Sequence, residues 1–225
     1  MNSAKQDVRS DARTRLLEAA LQVIRSKGYT ATAVDDICAV AGVTKGSFFH
    51  HFPSKEDMTL GAVEHWNRVT GELFASAPYQ LASDPRDRVF GYIELRREIL
   101  RGDVASYSCL LGTLVQETFE THPRLRAACR EGIALHAGTV AEDIAAAKAL
   151  YAPEADWDPR ALALFTQASL QGAFILAKAQ DSASIARQCV DHLRQHVASL
   201  LGDPAVPAAV SAKAASARPS SRARR

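Results

Sequence analysis

The stretch from Thr32 to Phe52 leaves the chain little choice of local fold, because it spells two short helices separated by a glycine turn. Thr32 offers an N-cap hydroxyl, with Asp35 three residues on as an acidic capping-box partner. Val34, Ile37, Cys38 and Ala41 then share one helical face. Gly42 follows the last apolar residue, where a left-handed backbone costs least, and Thr44 offers a second cap before Lys45, Gly46, Ser47, Phe48, Phe49, His50 and His51. The pattern predicts a helix-turn-helix.

In such a pair the second helix can enter a DNA major groove and present its first residues to base edges. Thr44, Lys45, Ser47, His50 and His51 supply short hydroxyls, a cation and two polarisable donors for that role. Phe48 and Phe52, four apart, anchor the helix to whatever lies behind. Pro53 and Ser54 break it and cap the next helix. Lys55 is then left in a first turn whose free N–H groups favour a phosphate, a candidate backbone clamp.

Gly28-Tyr29, Thr32, Asp36-Ile37, the run Ala41 to Phe52 and Ser54-Lys55-Glu56 together resemble the DNA-binding domain of the TetR/AcrR family. The resemblance covers about the first quarter of the chain. It implies a homodimeric transcriptional regulator, most simply a repressor, that binds a palindromic double-stranded DNA operator and is released by a small-molecule effector in its C-terminal part. The DNA-binding residues it implies are Thr32, Thr44, Lys45, Gly46, Ser47, Phe49, His50, His51 and Lys55. Two positions depart from the usual pattern. Ala33 replaces a common Ser or Thr and Phe49 a common Tyr, so two possible hydroxyl contacts to phosphate are missing.

Overall basicity is no argument for nucleic acid. The net charge is +2, but residues 203–225 alone carry +4, leaving the rest at about −2. Any positive face must be local. The polar N-terminus lacks a secretory apolar run, and Thr166, Gln167, Ser169 and Gln171 interrupt the most apolar stretch, so neither export nor a membrane span is expected. Cys38, Cys109, Cys129 and Cys189 lie far apart, as suits reduced thiols in a cytoplasm.

Elsewhere the pattern is helical throughout, with about nine helices and no convincing strand. The N-terminus to about Ser10 is expected to fray, with Lys5 and Arg9 as possible basic arms. A support helix follows from Asp11 to Lys27. Met58, Ala62, Trp66, Val69 and Leu73 mark one unbroken helix leading out of the head, and others are expected over 86–100, 106–121, 123–150, 160–179 and 182–201. The last two are apolar over more than one face. Leu162, Phe165, Ser169 and Gly172 form one stripe, Leu164, Ala168, Ile175 and Ala179 another, and Ile185, Cys189, Leu193, Val197 and Leu200 give the last helix a seam, which together call for a four-helix dimer interface.

This gives an all-α chain: a helix-turn-helix domain over 1–56, a ligand-binding and dimerisation domain over 57–202 and a disordered basic tail over 203–225. None of the common catalytic signatures is present, so an enzyme is disfavoured, and no cofactor is implied. Cys189, His192 and His196 share one side of a helix but lack a fourth ligand, so no metal site is assigned. The candidate effector residues are Trp66, Phe90, Tyr107, Cys109, Phe119 and Phe165. Ser108 to Glu117 resembles a helix-opening segment in family members that sense electrophiles or oxidants through its cysteine, and Arg101 lies just upstream of Cys109.

Overall fold

The computed structural model describes residues 3–203, and side chains from residue 12 onward. The tail expected to be disordered therefore lies outside the described residues beyond Asp203, as do the side chains of Lys5 and Arg9. Ten α-helices and one 3-10 turn make up the described chain.

The support helix α1, Ser3–Lys27, begins earlier than its apolar period. It buries Leu16, Ala20, Val23 and Ile24 and stops at Gly28, whose φ of 85° no side chain accepts cheaply. The paired helices are α2, Val34–Ala41, and α3, Lys45–His51. Gly42 joins them at φ 63°, and the Thr44 side chain accepts the Ser47 N–H at 3.2 Å. The α2 cap is shifted by one residue from expectation. Ala33 holds the N-cap position, and Asp36, not Asp35, accepts its N–H at 2.7 Å. Thr32 is 2% exposed and turns its hydroxyl back to the Gly28 carbonyl, closing the preceding turn instead of capping the helix.

Ser54 caps α4, Lys55–Ala75, which runs unbroken from the head into the body. A 3-10 turn, Pro78–Leu81, then leads to α5, Pro85–Glu98, started by Asp84. The single helix expected over 106–121 is split into α6, Val104–Tyr107, and α7, Leu110–Thr118. Ser108 and Cys109 between them are extended, and this break turns Cys109 into the N-cap of α7. Three long helices complete the body: α8, Pro123–Tyr151, α9, Pro159–Gln180, and α10, Ala183–Leu201.

Apolar burial forms two clusters. One lies among α5, α8, α9 and α10. The other holds the head, where Phe48 is fully buried, and continues without a gap into Leu110, Leu114, Leu125 and Cys129 of the body. The expected boundary after residue 56 therefore does not coincide with a gap between cores.

The two stripes expected on α9 are redrawn. Leu162, Ala163, Leu170 and Phe174 face the core, whereas Leu164, Phe165, Ile175 and Leu176 are between 44% and 54% exposed. On α10, Leu193 and Val197 are buried in the same chain's core and Ile185, Cys189 and Leu200 pack against it half-buried, so its seam is spent internally.

Candidate functional site

The outer face of α3 offers hydrogen-bond donors beside one exposed phenyl ring. Thr44, Lys45, Gly46, Phe49 and His50 are exposed, and Ser47 and His51 partly so. Behind them Phe48 and Phe52 are 0% and 4% exposed, so the helix is fixed by its aromatic side. Lys45 reaches back to Asp35 of α2 at 3.0 Å, with both side chains largely in solvent. Such a pair is weak and easily exchanged for a phosphate or base. A Cβ on Gly46 would find nothing nearer than 3.8 Å, so the space beside it is open.

Lys55 behaves differently from a free clamp. Its ammonium donates to the carbonyls of Tyr29 and Thr32 at 3.0 Å each and lies 4.1 Å from the Tyr29 ring centre. Burial lowers its pKa. On the other side of the same turn, the Glu117 carboxylate from α7 accepts the N–H groups of Tyr29 at 3.2 Å and Thr30 at 2.8 Å. The His122 ring meets Tyr29 edge-on at 5.0 Å, and Arg124 binds Asp57 at 3.0 Å. The head is therefore seated on α7 and α8 by polar contacts as well as by a shared core.

Beneath this seat a cavity of about 280 Å³ lies against the second half of α4. Its wall includes Trp66, Asn67, Phe74, Tyr107, Cys109 and Gln171, and exposed Val69 and Leu73 stand at its rim. A second cavity of about 250 Å³ adjoins it and shares Asn67, Thr70, Phe74, Gly132 and His136. Between them the rings of Phe74 and His136 lie 4.8 Å apart. Gln167 donates to the Tyr92 hydroxyl at 3.1 Å, which leaves that hydroxyl free to donate to His136 Nε2 at 3.0 Å. Burial, with Arg96 adding, pushes the His136 imidazole down to about 4, so it is neutral at physiological pH.

Residues 16–61 match the sequence profile of "Bacterial regulatory proteins, tetR family", and residues 85–192 that of "Transcriptional regulator LmrA/YxaF-like, C-terminal domain". The transcriptional regulator AcuR of Cereibacter sphaeroides is 30% identical over 167 residues, 74% of this chain and 76% of its own. The chain belongs to the TetR family of transcriptional regulators. The crystal structure of a TetR regulatory protein from Rhodobacter sphaeroides superposes with a TM-score of 0.71 at 27% identity, over 82% of this chain and 98% of that one. The reduced form of Escherichia coli NemR shares the fold, with a TM-score of 0.69 at 21% identity, over 87% and 100% of the two chains.

As a TetR-family head, the N-terminal region carries the expected helix-turn-helix, and all nine residues singled out for DNA lie on or beside it. Two are used inward, since Thr32 is buried and Lys55 is bonded to the turn carbonyls. Of the effector candidates, Trp66, Tyr107 and Cys109 meet at the cavity. Phe90 is instead buried in the body core under Arg194, while Phe119 and Phe165 are 51% and 47% exposed and line neither cavity. The cavity also has a polar lining, Arg25, Asn67, Arg96, His136, Gln167 and Gln171, which aromatic composition does not foretell. Gln167 and Gln171, one helical turn apart within the most apolar stretch of the chain, were the available signal. Among the described residues no cluster of three or more His, Cys, Asp or Glu is placed to hold a metal ion, and no helix is long and apolar enough to cross a membrane.

Proposed function

We propose that the protein is a cytoplasmic, homodimeric repressor that binds a palindromic operator through α3 and leaves it when a small molecule fills the cavity beside α4. The observation that carries this reading is the continuity of α4. Lys55 at its start holds the turn that leads into the helix-turn-helix, and Trp66, Asn67, Thr70 and Phe74 further along wall the cavity. A ligand that displaces the second half of a rigid rod moves its first half too.

The exposed face of α9 supports the dimer. Leu164, Phe165, Ile175 and Leu176 form an apolar strip in solvent, and a Cβ on Gly172 in its middle would meet nothing, so another helix can approach closely. Two heads related by a twofold axis read half-sites about 34–36 Å apart, and the released state is one in which that spacing is lost.

Selecting genomic fragments with the purified full chain tests this reading. A recovered palindrome with half-sites about one helical turn apart is the expected result. Fragments with no common sequence, or a single unrepeated half-site, would remove the dimeric repressor.

A further inference from the structure

The cavity beside α4 is positively charged and unbalanced. Its lining holds Arg25 and Arg96 and no Asp or Glu. Arg25 spends Nε on the Leu21 carbonyl at 2.9 Å and Nη1 on the Ser106 carbonyl at 3.0 Å, and stacks 5.1 Å from the Trp66 ring centre. These are neutral partners, so its charge is not cancelled. Arg96 has still less: it lies over the rings of Phe74 and Phe174, at 5.3 and 5.8 Å, and its buried Nε has no hydrogen-bond partner. Tyr107 packs on the same Phe174, ring centres 6.2 Å apart, and is 7% exposed with its hydroxyl buried and unpartnered.

The Arg96 Nε–H and the Tyr107 hydroxyl are thus buried polar groups with unmet hydrogen-bonding demand, since such groups are nearly always paired. A guanidinium has only donors and a fixed positive charge, so the group that Arg96 lacks is an acceptor with negative charge. A carboxylate meets that need. Around Arg96 and Tyr107 the residues Trp66, Leu73, Phe74, Ile99, Leu111 and Ile133 form an apolar wall that suits a hydrocarbon or aryl body. At about 280 Å³ the space falls at the small end of ligand sites.

We propose that this cavity binds a compact organic monocarboxylate, its carboxylate held by Arg96 and its apolar body lying against α4 and α7. The proposal rests on reading the cavity as the effector site, but its binding arm uses no DNA, and release of the operator complex is read as a separate arm. Calorimetric titration of the full chain compares benzoate with benzamide, cinnamate with cinnamamide and hexanoate with hexanamide. In at least one pair the acid binds about tenfold or more tightly than the amide. Arg96→Gln weakens that acid and leaves its amide unchanged, and Arg96→Lys restores part of the loss. Acids that bind no better than their amides throughout the panel, or not at all, overturn the proposal, as does parent-like acid binding by folded Arg96→Gln. An acid that binds with this dependence yet leaves the operator complex intact upholds the anion site and removes its effector role. Release by an amide and not by its acid overturns the anion site and keeps the effector reading.

Discussion

Glu117 occupies the space that any side chain at position 28 would need. A Cβ on Gly28 would fall inside the Glu117 carboxylate, and the same carboxylate accepts the next two backbone N–H groups. Two requirements thus coincide at one glycine, a φ of 85° and room for a partner from the body. Lys55 grips the same turn through its carbonyls, so the turn's N–H groups are held from α7 and its carbonyls from α4.

Gly28→Ala is therefore expected to cost more than the roughly 1–2 kcal/mol of a left-handed residue alone. In a Glu117→Ala background part of that cost disappears, because the clash is gone. A double-mutant cycle by chemical denaturation measures this, with a coupling of about 1 kcal/mol or more expected. Additive effects would mean that the carboxylate moves aside freely. Native-state exchange at the Tyr29 and Thr30 amides should also quicken in Glu117→Ala.

The two lysines near the proposed DNA face separate cleanly. Lys45→Ala removes only an exposed pair with Asp35, so stability should change by less than about 1 kcal/mol while operator binding falls. Lys55→Ala removes two bonds and a ring contact that hold the turn, so the head should lose about 1–3 kcal/mol and operator binding should fall through loss of structure. Thermal unfolding and operator titration on both variants check this. Equal stability in the two would show that Lys55 is a phosphate ligand after all.

Gly46→Ala asks whether DNA comes close to α3. The added methyl meets no atom of the protein nearer than 3.8 Å, and alanine favours a helix over glycine by about 0.8–1.0 kcal/mol, so the variant should be at least as stable as the parent. A loss of operator affinity in a stabilised protein then reports contact at the groove. Unchanged affinity would place position 46 away from DNA.

Much of this arrangement was legible in the sequence because it depends on local rules. Gly42, Thr44 and Ser54 act through neighbours within four residues, and their spacing, with Phe48 four before Phe52, fixes turn, cap and anchoring face. What was illegible depends on meetings across the chain. Lys55 reads as a free cation at a helix start until the turn 26 residues earlier folds onto it. Arg96 looks like one more solvated arginine until the rings of α4 and α9 close over it. The split at Ser108 and Cys109 was hidden for another reason, since apolar periodicity continues across a break in direction.

His136 supplies a pH dependence of known sign. Its folded pKa is about 4, below the unfolded value of about 6.5, so the unfolded chain binds the extra proton first. The contribution is fully present above pH ~6.5 and is lost as pH falls through about 4, amounting to about 3 kcal/mol as an upper bound. Denaturant unfolding between pH 7 and 4 should show a steeper decline for the parent than for His136→Gln. Carboxylates such as Asp57 and Asp84 titrate in both proteins at the acid end, so the difference between the curves carries the result. Parallel curves would mean that His136 is hydrated.

Cys109 is the thiol that the fold presents to small molecules. It lines the cavity beside α4 and, with Thr113, Gln116 and Lys178, a neighbouring one of about 220 Å³, while the extended pair Ser108 and Cys109 holds it at the start of α7. Cys38 and Cys129 are buried, and burial pushes the Cys129 thiol up to about 12, so neither should react at neutral pH. Cys189 is partly exposed but lies on α10, away from both cavities. A limiting dose of iodoacetamide should therefore label Cys109 and spare Cys38 and Cys129, as read by peptide mass spectrometry. Because Cys109 borders Trp66 and Leu111, its modification fills space against α4, and labelled protein should release operator where labelled Cys109→Ser does not. Release that persists unchanged in Cys109→Ser would assign the effect to another thiol, and labelling of Cys109 without release would leave the cavity a reversible binding site only.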